Sequence, residues 1–219
     1  MTYNIAIDGP AGAGKSTIAR RVAKELSFIY VDTGAMYRAI ALYHLREQVD
    51  TDSETAVKDA LKKIDISITY ENGEQQVLLN GENVSGQIRT EKVGNMASKI
   101  SAIPCVREKL LDLQRELACK NNVVMDGRDI GTRILPEAQL KIYLTASADA
   151  RAERRFKELT EKGISCSLEE IKQDIIKRDD QDMNRAIAPL TQAKDAIYLD
   201  SSNMTIDEVT EKIQSMVRL

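Results

Sequence analysis

Residues 9–16 match the pattern G-x-x-x-x-G-K-[ST] and directly follow an apolar run at residues 5–7. Glycines in this pattern let consecutive backbone N–H groups point inward at phosphate oxygens, where a Cβ atom would obstruct them. Lys15 adds a positive charge for the β- and γ-phosphates, and the Ser16 hydroxyl is a suitable ligand for Mg²⁺. The alternative is an accidental glycine-rich turn, which the strand pattern before it and the helical spacing after it disfavour. We therefore predict a nucleoside-triphosphate site with contacts at Gly9, Pro10, Ala11, Gly12, Ala13, Gly14, Lys15, Ser16 and Thr17.

A second charged group follows the apolar run at residues 123–125. Asp126 stands at the predicted end of this strand, a position from which an acidic residue can hold Mg²⁺, here through water. Arg128 and Asp129 come next, and we expect both to point into the crevice beyond the strand ends. A solvated charged turn is the alternative interpretation for any one of these residues.

Two further clusters contain arginines. Arg151 and Arg155 are four residues apart and therefore share one face of a predicted helix. They either form surface ion pairs with Glu153 and Glu158, or belong to a flap that closes on the triphosphate and expels water. The spacing leaves both interpretations open.

The last cluster spans residues 178–185. At helical spacing Arg178, Asp182 and Arg185 fall on one face, whereas Asp179 and Asp180 are expected to face elsewhere. A face with two cations and one carboxylate suits a sugar hydroxyl that lies beside a phosphate.

Apolar runs that alternate with helical patterns must position these groups. We predict strands at residues 5–7, 28–31, 123–126, 140–144 and 196–199. Helices are predicted between them, with starts at Pro104 and at the capping boxes of Thr51, Ser167 and Thr205. This alternation predicts the α/β class, with a doubly wound five-stranded parallel sheet, helices on both faces and ligands at the carboxyl ends of the strands.

Residues 64–87 interrupt this alternation. Apolar residues alternate here with polar ones, and Asn72-Gly73 and Asn80-Gly81 mark two tight turns about eight residues apart. We predict a small antiparallel three-stranded insertion, which either helps to cover a ligand or only extends the surface.

Composition excludes several classes of function. The 219 residues are 42% hydrophobic and carry a formal net charge of −3, which predicts a single domain without general attraction to nucleic acid. The absence of a basic and apolar leader, and of any long apolar stretch, predicts a cytoplasmic protein that does not bind membranes. Three cysteines without C-x-x-C spacing are expected to be reduced thiols. The only histidine, His44, lies in an amphipathic stretch, which disfavours a histidine base.

The glycine-rich loop alone does not distinguish motors, GTPases, ABC-type ATPases and small-molecule kinases. The sequence has no Asn-Lys-x-Asp, Asp-x-x-Gly or Leu-Ser-Gly-Gly-Gln segment, and its many local arginines favour a second phosphorylated molecule opposite ATP. A phosphate acceptor, with a second pKa of about 6, is already ionised at pH 7 and needs no general base. The remaining task is to bring two anions together, which Arg, Lys and Mg²⁺ can do.

Residues 9–17, 32–38, 126–132 and 178–185 together resemble the bacterial cytidylate kinase family, and the resemblance extends over the whole chain. It implies a P-loop nucleoside monophosphate kinase fold and transfer of the γ-phosphate of ATP, with Mg²⁺, to CMP or dCMP. It also implies one kinase domain over residues 1–219, with a monophosphate-binding region at 33–100 and a helical lid at 150–167.

The resemblance also implies roles for individual residues. The implied substrate contacts are Thr33, Tyr37, Arg38, Ser98, Arg107, Arg128, Asp129, Arg178, Asp182 and Arg185. Among them Arg38, Arg128 and Arg185 hold the acceptor phosphate, Ser98, Arg107 and Asp129 read cytosine, and Arg178 and Asp182 hold the ribose. Lys15, Arg128, Arg155 and Arg185 are the implied catalytic residues, and Arg151 is implied to contact ATP, by stacking on adenine. Many relatives have Ser in place of Thr33, so the preference between CMP and dCMP stays open.

A carboxylate that faces the exocyclic N4 amine accepts a hydrogen bond from cytosine and repels the O4 atom of uracil, which suits Asp129 to the implied role. Two alternatives remain, a P-loop kinase of another small metabolite or nucleoside monophosphate, and a non-catalytic nucleotide-binding protein. We expect a monomer whose partners are small nucleotides, and neither nucleic acid nor a membrane.

Overall fold

The computed structural model describes residues 2–218. Its elements in chain order are β1 (Asn4–Asp8), α1 (Lys15–Leu26), β2 (Ile29–Asp32), α2 (Thr33–Arg46), α3 (Glu54–Lys62), β3 (Ile66–Glu71), β4 (Glu74–Leu79), β5 (Glu82–Asn83), α4 (Glu91–Ile100), α5 (Pro104–Lys120), β6 (Val123–Gly127), a π-helical turn (Ile130–Ile134), β7 (Leu140–Thr145), α6 (Ala148–Glu161), α7 (Leu168–Asn184), β8 (Ile197–Asp200) and α8 (Ile206–Gln214). No helix among these residues is both long and apolar enough to cross a membrane.

The main sheet has five parallel strands in the order β2–β6–β1–β7–β8, which confirms the predicted α/β class. Its three central strands have their apolar residues buried on both faces, as expected for a sheet covered by helices on both sides. The register aligns Ile7 with Asp126, and Asp32 with the same residue, so the carboxyl ends of β1, β2 and β6 meet at one edge. This edge carries the glycine-rich loop, which leads from β1 into α1.

Each face of the sheet has its own hydrophobic core. On one face α1 and α8 pack through Ile18, Val22 and Ile213. On the other face α2, α4 and α5 pack through residues such as Met36 and Leu110. Each large apolar side chain of this kind stabilises the fold by about 1.5–3 kcal/mol relative to an exposed position, so the two cores fix the site's supporting elements.

Polar caps determine where several helices begin. The Asp32 carboxylate accepts the N–H of Ala35 (2.9 Å) and thereby caps α2, and the predicted capping box of Thr205 and Glu208 is confirmed. The box predicted at Thr51 is wrong, because residues 50–53 form a turn, and Ser53 is the residue that caps α3. Ser167 caps α7 as predicted, through the N–H of Glu170.

The predicted three-stranded insertion is confirmed as an antiparallel sheet of β3, β4 and β5. Its turns place Asn72 at φ 53° and Asn80 at φ 51°, each followed by a glycine that also has positive φ, as type I′ turns require. The insertion lies against the edge of the main sheet. Gln75 accepts the backbone N–H of Asp32 (2.8 Å) and donates to its carbonyl (3.2 Å), and the Tyr70 hydroxyl donates to the carbonyl of Tyr30 (3.2 Å). Side chains of the insertion therefore satisfy backbone groups of β2 that no neighbouring strand reaches.

Candidate active site

A cavity of about 870 Å³ opens at the carboxyl ends of the parallel strands. Its volume lies in the range of small-molecule sites. The glycine-rich loop, the start of α2, the segment after β6, and the helices α4 to α7 all contribute to its wall. The structure thus gathers into one place the four charged clusters that are far apart in the sequence.

Nearly all the predicted site residues line this cavity. They are Ala11, Gly12, Ala13, Gly14, Lys15, Ser16, Thr17, Thr33, Tyr37, Arg38, Ser98, Arg107, Asp126, Arg128, Asp129, Arg151, Arg155, Arg178, Asp182 and Arg185. Gly9 and Pro10 do not lie on its wall, and their contact with ATP stays a prediction. A Cβ atom at Gly9 would lie 1.9 Å from the carbonyl oxygen of Leu144, so this glycine allows the loop to pack closely on β7. The carbonyl of Pro10 instead accepts a hydrogen bond from Lys15 Nζ (2.7 Å).

The glycine-rich loop has the backbone conformation that its sequence predicts. Gly12 (φ 75°) and Gly14 (φ 82°) are left-handed, and α1 begins at Lys15, so its unpaired N–H groups and the positive end of its dipole face the cavity. Only 5% of Lys15 is exposed. Burial lowers the pKa of the Lys15 ammonium, and the nearby Arg128 guanidinium lowers it further. An anion bound in the loop would counter both effects.

Asp126 lies at the end of β6, beside the loop. Its Oδ2 accepts a hydrogen bond from the Ser16 hydroxyl (2.9 Å), and its Oδ1 accepts one from the Tyr30 hydroxyl (2.9 Å). Burial raises the pKa of this carboxyl, and the Asp32 carboxylate raises it further. Sequence reasoning missed Tyr30, which belongs to β2 and gave no signal beyond an aromatic residue in a strand.

The segment after β6 is a short π-helical turn rather than an open loop. The Asp8 carboxylate holds this turn by accepting the N–H groups of Ile130 (2.8 Å) and Gly131 (2.7 Å). Just before it, Asp129 forms a buried ion pair with Arg107, whose guanidinium lies over the Tyr37 ring at 5.5 Å. Two of the three base-reading residues that the resemblance implies, Arg107 and Asp129, are therefore in direct contact.

The three arginines predicted to hold a phosphate all face the cavity. Arg38 Nη1 donates to the carbonyl of Ile88 (3.1 Å), and Arg128 Nε donates to Asp182 Oδ2 (2.7 Å). Arg185 lies just beyond α7, and its Nη2 is buried without a hydrogen-bond partner among the described residues. Asp129 Oδ1 lies 3.8 Å from this nitrogen, which is too far for a hydrogen bond, so the buried donor is left for a ligand to satisfy.

A sequence profile of the cytidylate kinase family matches residues 5–219. The chain belongs to the cytidylate kinase family. A cytidylate kinase of Lactobacillus gasseri is 50% identical to it over 98% of this chain and 93% of its own. A cytidylate kinase of Caldicellulosiruptor saccharolyticus is 51% identical over 96% of this chain and 93% of its own. The solved structure of an uncharacterized protein from Eubacterium ventriosum is similar in fold alone, with a TM-score of 0.51, 12% identity, and coverage of 98% and 97% of the two chains.

The two arginines that the sequence placed on one helix face both belong to α6 and line the cavity, but they have different partners. Arg155 is half-exposed and pairs with Glu158 (2.8 Å), as the surface interpretation expects. Arg151 is buried, and its partner is Asp179 of α7 (2.6 Å). Asp179 does not line the cavity, as the helical spacing predicted, whereas Arg178, Asp182 and Arg185 do. Helix α6 packs against the side of α7 that carries Asp179 and supplies its cation. The stacking of Arg151 on adenine stays a prediction.

Two further arginines of this chain line the cavity and were missed. Arg89 pairs with Asp32 Oδ2 (2.7 Å), and Arg154 Nη2 donates to the carbonyl of Ser201 (2.6 Å). Arg89 is an isolated arginine in a connection, where no sequence pattern marks a site. Arg154 could have been found, because it adjoins Arg155 in a run of arginines.

Proposed function

We propose that the protein transfers the γ-phosphate of ATP to CMP or dCMP, giving ADP and CDP or dCDP. One observation supports this proposal most strongly. A single cavity joins the glycine-rich loop to the buried pair of Asp129 and Arg107, and Arg128 and Arg185 line the same cavity. The curated relatives at about half identity have the name cytidylate kinase, which agrees with this proposal.

The donor side of the proposed reaction uses the loop and Lys15. Backbone N–H groups of residues 11–16 and the Lys15 ammonium hold the β- and γ-phosphates, and the half-exposed Arg155 leaves Glu158 and moves onto the transferred group. Residues 150–167 form the proposed lid.

The acceptor side uses Arg38, Arg128 and Arg185. Because a phosphate monoester is already ionised at pH 7, the reaction needs no proton acceptor, and no histidine lines the cavity among the described residues. The three guanidiniums offset the repulsion between the two phosphates and bring them together. Residues 33–100 form the proposed monophosphate-binding region.

The oxygens of Ser16 and Asp126 fit a magnesium site. Both are hard ligands, they are in contact at 2.9 Å, and the described residues contain no cluster of three or more acidic, histidine or cysteine side chains that could form a complete protein cage. This is the donor set expected when phosphates and water supply the other ligands. When bound, Mg²⁺ would neutralise charge on the triphosphate.

Cytosine recognition belongs to Asp129. Its carboxylate would accept the N4 amine of cytosine and repel the O4 atom of uracil, while Arg107 holds it in place. We further propose a cytoplasmic monomer that does not bind nucleic acid. Its three free cysteines suit a reducing compartment, and its net charge of −3 opposes binding to a polyanion.

Turnover of a panel of nucleoside monophosphates with ATP and Mg²⁺ tests the proposal. CMP or dCMP should be the best acceptor, and Asp129→Asn should raise KM for CMP by about tenfold or more. Asp174→Asn, which removes the same charge from an exposed position of α7, is the matched control and should behave as wild type. Faster phosphorylation of AMP, dTMP or shikimate than of CMP would refute the assignment.

A further inference from the structure

The Arg151 guanidinium connects three separate elements. Its Nε donates to the carbonyl of Ala146 after β7 (2.8 Å), its Nη1 donates to the carbonyl of Ala11 in the glycine-rich loop (2.8 Å), and its Nη2 donates to Asp179 Oδ2 in α7 (2.6 Å). Only 5% of Arg151 is exposed, and a Cβ atom at Gly12 would lie 3.5 Å from the Cβ of Arg151. The side chain thus joins the loop, the end of β7 and α7 at the wall of the cavity.

The contact with Ala11 determines the orientation of a loop peptide. In a trans peptide the carbonyl and the following N–H point in opposite directions, and the described chain contains no cis peptide. A carbonyl of Ala11 directed at Arg151 therefore turns the N–H of Gly12 away from the arginine. The orientation of a phosphate-binding N–H group depends in this way on where Arg151 is held.

Asp179 determines where Arg151 is held, and it belongs to the helix on the acceptor side. It is 7% exposed, does not line the cavity, and lies three residues before Asp182, which accepts Arg128 Nε (2.7 Å). Its neighbour Arg178 does line the cavity. Two carboxylates of α7 thus attach this helix to the two sides of the site. Asp179 does so through Arg151, which contacts the donor loop, and Asp182 does so through Arg128, which follows β6.

A buried ion pair is a poor source of stability, because the cost of desolvating both charges offsets much of their attraction. The pair acts mainly on geometry, because the rigid guanidinium donates to three protein acceptors and so fixes their relative positions. We propose that Arg151 and Asp179 form a positioning pair that couples the ATP-binding loop to the monophosphate-binding helix, so that either nucleotide binds more tightly when the other is present. This inference rests on the proposed function in taking α7 as the wall of the acceptor site.

Calorimetric titration of CMP, with and without a saturating non-hydrolysable ATP analogue, measures this coupling. In the wild type the analogue should tighten CMP binding about fivefold or more. In Asp179→Asn the ratio of the two dissociation constants should fall close to one, although this residue does not lie on the cavity wall. Asp174→Asn, with the same charge change on an exposed part of α7, should keep the wild-type ratio.

A second variant covers the case in which Asp179→Asn does not fold by circular dichroism. Arg151→Lys keeps the ion pair but cannot span three acceptors, so it should lose the coupling as well. The double variant should lose no more of the coupling between the two nucleotides than the more affected single variant does, because both residues act as one unit. The proposal would be overturned if the two substitutions reduced the coupling independently, so that their effects multiplied in the double variant. An unchanged ratio of dissociation constants in Asp179→Asn would also overturn it, as would a wild type without coupling. These ratios come from binding alone, so a wild type that binds both nucleotides without forming CDP would refute only the proposed function.

Discussion

Asp8 shows how a single residue outside the charged clusters supports the site. Its carboxylate accepts two backbone N–H groups from the turn that follows Asp129, and burial raises its pKa to about 6. Ionised Asp8 offers an acceptor to each N–H, whereas an amide side chain would place an NH₂ group against one of them. The residue thus controls the orientation of the segment that carries Arg128 and Asp129.

We expect Asp8→Asn to raise KM for CMP about tenfold, because one buried N–H group of the turn loses its acceptor. Steady-state kinetics at saturating ATP measures this change, and a thermal melt monitors folding. An unchanged KM for CMP in a folded variant would mean that the turn keeps its shape without the Asp8 carboxylate.

His44 carries a second prediction, which concerns stability and pH. It is buried in α2, its Nδ1 lies 2.9 Å from the carbonyl of Ile40, and its Nε2 has no partner among the described residues. Burial lowers its pKa from the ordinary 6.5. Below pH 6.5 the unfolded chain therefore gains a proton that the folded chain does not bind, and the wild type loses stability relative to His44→Leu as the pH falls from 7 to 5.

Urea unfolding of both proteins at several pH values tests this prediction. Carboxyl groups with a raised pKa, such as Asp8, have the opposite effect on stability over part of this range. The folded state binds their protons more readily than the unfolded state, so these groups stabilise the fold as the pH falls. They are present in both proteins, so the difference between the two free energies of unfolding isolates His44. If the difference in free energy of unfolding between the two proteins did not change with pH, the lowered pKa of His44 would be contradicted.

At the scale of elements, apolar runs and cap residues predicted most of the fold. Residues 123–125 predicted a strand covered on both sides, and Asn-Gly pairs predicted the two turns of the insertion; both features are present. Helical spacing predicted that Arg178, Asp182 and Arg185 share a side of α7 that excludes Asp179, but it could not predict the partner of Asp179, because that depends on where α6 packs. Asp179 is the clearest case, since its partner Arg151 lies 28 positions earlier in the chain.

The candidate site was predictable to the extent that its residues occur in local patterns. The glycine-rich loop, Asp126 and the arginine clusters were found, whereas Tyr30, Arg89 and Asp8 were not. Each of the missed residues acts through a partner that is distant in sequence. Nothing in the immediate surroundings of these residues distinguishes them from ordinary strand or loop positions.

The insertion leads to a prediction about a single side chain. Gln75 makes two hydrogen bonds with the backbone of Asp32, the residue that caps α2 and pairs with Arg89. Gln75→Ala should lower the free energy of unfolding by about 1–2 kcal/mol, since both bonds are lost. It should also raise KM for CMP, because α2 carries Arg38.

Gln76→Ala is the matched control for this variant. Its amide contacts only Asn83 within the insertion, at 3.1 Å. Its free energy of unfolding in urea and its KM for CMP should both be close to those of the wild type. Equal effects of the two substitutions would show that the insertion acts through its own stability and not through Asp32.

At the scale of the whole molecule, the charge of the cavity is opposite to the charge of the chain. The formal net charge is −3, whereas basic side chains on the cavity wall outnumber acidic ones. The basic ones are Lys15, Arg38, Arg89, Arg107, Arg128, Arg151, Arg154, Arg155, Arg178 and Arg185, and the acidic ones are Asp32, Asp126, Asp129, Glu158 and Asp182. A concave site with one sign of charge attracts ligands of the opposite sign.

Binding of CMP should therefore weaken as ionic strength rises from low to above physiological values, because salt screens this attraction. Calorimetric titration at several salt concentrations measures the effect. Uncharged cytidine provides the control, and its weaker binding should change little with salt. If CMP and cytidine showed the same salt dependence, the field of the cavity would have no part in recognising the phosphate.

The pairing of β1 also has a consequence for synthesis of the protein. This strand hydrogen-bonds only to β6 and β7 in the main sheet, and its register begins with Asn4 opposite Val123. A nascent chain on the ribosome that ends before Val123 already contains the whole glycine-rich loop but lacks both neighbours of the strand that supports it. Productive folding of the loop must therefore wait until well over half of the polypeptide has left the exit tunnel.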